Sequence, residues 1–190
     1  MSSQVFLTVE DRQKDIPYPP ETHQDSQNFG FKPLKGKSEK VDKIQEAKGF
    51  PGIIAALKAI NVQDSPFFSI GCEKYIGPEQ YGGYYARGYI EFAFNYARMV
   101  SFPQAADLFR CFSIYYAQHE IYEYTTYNFD IQPAYFVKAK TDGYTCCVWI
   151  RTGHHASHKE AEQAYNKAVQ LLADFISTVG PPENEPERIY

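Results

Sequence analysis

Three features of the sequence predict an α+β fold: an antiparallel sheet of about four strands with helices on one face. Residues 87–96 alternate, with Ile90, Phe92, Phe94 and Tyr96 on one side and Tyr89, Glu91 and Asn95 on the other. That period of two is the signature of a half-buried strand. Residues 102–118 and 158–176 instead repeat apolar side chains at the spacing of one helix face. The elements also run hairpin, helix, hairpin, helix, so strands can pair locally and each helix can return across the sheet.

The elements follow in order. Val5-Phe6-Leu7-Thr8-Val9 reads as a short edge strand. Residues 10–38 hold Pro17, Pro19, Pro20 and Pro33, which interrupt regular structure. They form either a disordered arm or a segment that wraps the domain, and Tyr18, Phe29 and Phe31 favour docking. Lys40 to Lys48 suits a weak helical turn closed by Gly49. Pro51 then opens a short helix with Ile53, Ile54, Leu57 and Ile60 on its apolar stripe.

Residues 67–76 are a strand with Phe68, Ile70, Cys72 and Ile76 on one face. They pair with 87–96 through a loop containing Gly77-Pro78 and Gly82-Gly83. Ser101 and Gln104 fit a capping box for the helix that follows, with Ala105, Leu108, Phe109, Phe112, Tyr115 and Tyr116 buried. Tyr122 to Asp130 reads as a strand interrupted by Pro133, with Tyr135 to Lys140 continuing in extended form. Asp142-Gly143 is the strongest hairpin-turn signal, and Tyr144 to Arg151 is the returning strand.

Ser157 and Glu160 make a second capping box, and Gly180-Pro181-Pro182 ends the last helix. Ser101 to Ala117 can be laid over Ser157 to Ala173, so two similar β-hairpin–helix units are expected. The domain layout is an N-terminal arm over 1–38, a single α+β domain over 39–178 and a flexible acidic tail over 179–190.

Composition narrows the function. Formal net charge is −4, which argues against nucleic acid, since phosphate binding needs a basic stripe. No apolar run suits a membrane span, and no signal segment is evident, so a cytoplasmic location is expected. Cys72, Cys111, Cys146 and Cys147 lack metal-site spacing and read as buried thiols in a reducing compartment. Walker, dinucleotide-binding, GxSxG and HExxH patterns are missing, and no cofactor is expected.

Sixteen tyrosines set the chain apart. Tyr75, Tyr81, Tyr84, Tyr85 and Tyr89 gather in the first hairpin, and tyrosine-rich loops make adaptable contact surfaces. The preferred expectation is a non-enzymatic module that binds a protein partner or a second copy of itself, through that hairpin or the uncovered sheet face.

The competing site is Arg151-Thr-Gly-His154-His155-Ala-Ser157-His158. A helix N-terminus beside an arginine and histidines suits a phosphate or carboxylate. For catalysis these groups must converge with an acid such as Glu73, Glu91 or Glu120. Metal binding by His154, His155 and His158 is weaker, because their spacing crosses the helix start. His119-Glu120, with Glu123 and Tyr124, could form an acid–base pair, but a helix end entering a strand is the favoured reading.

Overall fold

The computed structural model describes residues 4–22, 27–119, 124–183 and 187–190. The chain forms β1 (Gln4–Val9), β2 (Lys14–Ile16), β3 (Glu21–Thr22), β4 (Gln27–Asn28), a 3-10 turn (Ser38–Lys43), α1 (Pro51–Asn61), β5 (Phe67–Pro78), β6 (Tyr84–Phe94), α2 (Phe102–Ala117), β7 (Thr126–Phe136), β8 (Thr141–His155) and α3 (His158–Thr178). The main sheet has six strands, ordered β1-β7-β8-β6-β5, with β2 also on β7. β3 and β4 form a separate two-stranded ribbon. The α+β class stands, but the sheet is mixed: β1 and β2 run parallel to β7 on its outer edge. The four strands expected from the hairpins are its antiparallel part.

The order β5-β6-β8-β7 places the second strand of each hairpin inside, as two units related by a twofold would sit. Laying Ser101 over Ser157 also lays Glu91 over Cys147, and these two residues face each other across β6 and β8.

All three helices cover one face. Phe129, Val148, Ile90 and Cys72 form one cross-strand row beneath them. Phe112 of α2 packs on Tyr127, Phe129 and Phe175, tying the sheet to α3. The Tyr127 hydroxyl donates to the Ala168 carbonyl at 2.8 Å. Each buried ring contributes about 2 to 3 kcal/mol by leaving water, so this layer carries most of the stability.

The other face is covered in its middle by the arm and closed at one end. There Phe68 packs on Phe31, Phe136 and Tyr190. Asn95 pins the C-terminus: its Oδ1 accepts from the Tyr190 N–H and its Nδ2 donates to the Tyr190 carbonyl, both at 2.7 Å. Ile189 is buried. Residues 187–190 therefore dock on the sheet rather than trailing as the loose tail expected. From the arm, Ile16 and Leu34 enter the core.

Several local expectations change. A bulge between Ser69 and Gly71 turns Phe68 onto the face opposite Cys72, so they do not share one side. Ser101 makes no side-chain cap. β7 runs through Pro133, because β1 ends opposite Ile131 and β2 begins opposite Ala134. The proline falls in the gap, where its missing N–H costs no ladder bond.

Asp142-Gly143 is not the turn. Both pair within the ladder, and the chain reverses over 137–140 with Lys140 at φ 50°. Gly143 instead allows close approach: a Cβ there would lie 2.5 Å from the Val100 carbonyl oxygen.

Candidate functional site

The strands that bury Val148 and Ile90 on one face present Trp149 and Tyr89 on the other. These two side chains are direct cross-strand partners on the central strands β8 and β6, with ring centroids 4.8 Å apart. Asn128 and the exposed Phe6 continue that row across β7 and β1. The next row holds Arg151, Arg87 and Tyr75. Arg87 lies over the Tyr75 ring at 5.3 Å, and Arg151 over Tyr85 at 4.9 Å. Tyr75 and Tyr85 pack at 5.7 Å. Trp149 is 38% exposed and Tyr75 45%. Aromatic and arginine side chains thus share one uncovered surface, the composition that dominates protein–protein hot spots.

The tyrosines expected to act together divide. Tyr75, Tyr85 and Tyr89 belong to this face. Tyr81 stands 95% exposed near the hairpin tip. Tyr84 turns to the helix side, its ring 6.2 Å from that of His158. Burial raises the Tyr89 phenol above its ordinary value, with the Cys147 thiol adding to the effect, so it stays a neutral hydrogen-bonding group.

The histidine segment is not a loop. β8 extends through His155, and His154 takes a positive φ of 62°. Ser157 caps α3, accepting from the Glu160 N–H at 3.2 Å, while Glu160 reaches back to the Ala156 N–H at 2.9 Å.

The expected anion ligands do not meet. Arg151 pairs with Glu79 at 3.1 Å. His154 packs against Tyr124, and His158 against Tyr84. His155 has its Nε2 buried without a hydrogen-bond partner, and burial lowers its pKa. Among the described residues no group of three His, Cys, Asp or Glu side chains is placed to hold a metal ion.

The acids named for that site lie elsewhere. Glu73 is on the open face, and Glu120 and Glu123 fall outside the described residues. His119 stacks on Tyr115 at 3.9 Å, with its Nδ1 2.6 Å from the Tyr115 carbonyl oxygen.

Glu91 belongs to a buried polar row beside the aromatic patch. Asp130, Cys147 and Glu91 are consecutive cross-strand partners over β7, β8 and β6. Lys14 from the arm forms an ion pair with Glu91 and donates to Gln132 Oε1 at 2.5 Å. Thr145 donates to Glu91 at 2.7 Å, and Gln132 to Asp130 at 2.8 Å. The arm therefore covers the middle of this face, brings Tyr18 close to Tyr89 around Gly71, and leaves Trp149 partly exposed.

Trp149, Arg87 and Phe6 were not singled out from sequence. A signal for Trp149 was present: Cys146, Val148 and Ile150 alternate with Cys147, Trp149 and Arg151, which places the only tryptophan on the face away from the helices. Comparison with known proteins finds no matching family model, no matching curated protein and no matching solved structure.

Proposed function

We propose that the protein is a non-enzymatic interaction module and that its open sheet face pairs with a second copy of the chain. The observation that carries this reading is the Trp149–Tyr89 pair, with Trp149 partly exposed and Tyr89 half-buried, framed by Arg87, Arg151, Tyr75 and Tyr85 on strands whose reverse side is packed. Large exposed aromatic patches on a folded domain favour a covering partner.

Charge favours a second copy. The patch carries Arg87, Arg151, Glu73 and Glu79, so it is locally neutral although the chain has a net charge of −4. Arg87 and Glu73 sit diagonally on neighbouring strands, and neither has an ion pair among the described residues. In a twofold interface each surface meets itself. Arg87 of one copy then faces Glu73 of the other, while the two Trp149–Tyr89 pairs exclude water at the centre. All four cysteines are free, which suits the cytoplasm as the proposed compartment.

Sedimentation velocity over a wide concentration range tests the reading. Wild type self-associates. Trp149→Ala stays monomeric, and so does Arg87→Glu. The double variant Arg87→Glu/Glu73→Arg recovers association. A monomer at every concentration overturns pairing with a second copy and leaves a different protein as the occupant. Dimers that survive Trp149→Ala overturn the choice of face.

A further inference from the structure

A cavity of about 360 Å3 lies between β5, the N-terminal arm, residues 44–46 and α1, and reaches Glu73 and Tyr89 at the margin of the open face. Its size is that of a small-molecule site. Leu34, Ile44, Leu57 and Ile70 give it an apolar wall. The Tyr18 hydroxyl donates to the Ile70 carbonyl at 3.0 Å and fixes the arm as the opposite wall.

Two carboxylates line this cavity, Glu73 at its margin with the open face and Glu46 against the arm and α1. Glu46 is half-buried against the aliphatic wall and takes part in no hydrogen bond or ion pair among the described residues. A carboxylate in such a place loses part of its hydration and gains most from a cation that enters with an apolar body. The basic group that feels its field, Lys74, is committed elsewhere: its ammonium donates to the Lys48 carbonyl and lies 4.3 Å over the Phe50 ring. The neighbouring Cys72 thiol is pushed up to about 12 by burial and by Glu46 beside it, so it serves as a neutral wall group. Exposed Lys32 lines the same cavity and makes no ion pair among the described residues.

We infer that this cavity binds a small amine, an ammonium group on a branched aliphatic body, with Glu46 as its ion partner. Leu34, Ile44, Leu57 and Ile70 hold the aliphatic part. Lys32 is placed to meet a carboxylate on the same molecule, so an aliphatic amino acid fits both charges. The cavity shares Glu73 and Tyr89 with the open face, but its proposed ion partner, Glu46, is not part of that patch.

Titration calorimetry with leucinamide, leucine and N-acetylleucine, alongside methyl NMR of the full chain, tests it. Leucinamide binds saturably and shifts the methyls of Leu34, Ile44, Leu57 and Ile70. N-acetylleucine, which lacks the cation, does not bind. Glu46→Gln weakens leucinamide by about tenfold or more, the scale of one charge-assisted contact. Leucine binding tighter than leucinamide, with that gain lost in Lys32→Ala, extends the site to the carboxylate. The inference is overturned if leucinamide and leucine both fail to saturate, if N-acetylleucine binds as tightly, or if Glu46→Gln keeps wild-type affinity.

Discussion

The two faces of the sheet are built from alternate residues of the same strands, yet different physics decides their composition. On the helix side, Phe129, Val148 and Ile90 are completely buried and lie in one cross-strand row. One residue further along each strand, Asp130, Trp149 and Glu91 face the opposite way. The first face is built for burial, and polar atoms within it, such as the Tyr127 hydroxyl and the Asn61–Ser69 pair, are hydrogen-bonded. The second keeps arginines, carboxylates and amphipathic rings, which would be poor choices for a core and suit a surface in contact with water. The difference gives the proposed pairing its chemistry: polar rings and arginines suit contact with a second copy that also carries charge.

The sharpest way to break this contrast is to attack the packed face. Phe112 is fully buried and touches the rings of Tyr127, Phe129 and Phe175 at once. Phe112→Ala removes the ring that joins α2, α3 and the sheet, and leaves a cavity that three rigid neighbours cannot fill. A loss of about 3 to 5 kcal/mol in unfolding free energy is expected from urea titration. A loss below about 1 kcal/mol would mean that the helix layer is looser than its geometry.

The second test falls on the polar row of the other face. Lys14 is 28% exposed and Glu91 only 7%, so the pair is partly screened on one side and dry on the other. Lys14→Met leaves the Glu91 carboxylate with the Thr145 hydroxyl alone. The expected cost is about 2 kcal/mol, below the range for a fully buried pair because water reaches Lys14. Adding Glu91→Gln removes the stranded charge and restores part of the loss, which a double-mutant cycle in urea reads directly. If Lys14→Met is silent, the arm does not hold this face closed.

How much of this was legible follows the same division. Period-two alternation over Tyr89–Tyr96 and the helical stripes of 102–118 and 158–176 specify elements locally, and those elements form. What the sequence hides is the choice among non-local partners. Val5–Val9 reads as an edge strand, but nothing local fixes its parallel pairing with β7. Asp142-Gly143 has hairpin chemistry, yet tight contact with Val100 claims Gly143 for the ladder, and Lys140 accepts the positive φ instead. The Arg-His segment looked like a site because its charged groups are adjacent in sequence. A strand sends neighbours to opposite faces, so Arg151 joins Glu79 and Tyr85 while the histidines find separate aromatic neighbours. Tyr75, Tyr85 and Tyr89 lie on one face because they share a parity across paired strands.

The smallest effect on folding is the most informative about the open face. Trp149 packs on Tyr89 but keeps 38% of its surface in water, and no helix lies over it. Trp149→Ala in the monomer is therefore expected to cost about 1 kcal/mol or less, far from the penalty at Phe112. The same residue lies at the centre of the proposed pairing, where association stabilises the folded state by mass action. Wild-type Tm should then rise with protein concentration, and the Tm of Trp149→Ala should not. At the lowest concentration, where both are monomers, the two melting curves should nearly coincide. A wild-type Tm independent of concentration would leave Trp149 as an exposed ring without a second copy to cover it. A variant already several kcal/mol weaker as a monomer would place Trp149 in the core, and the distinction between the two faces would fail at its central residue.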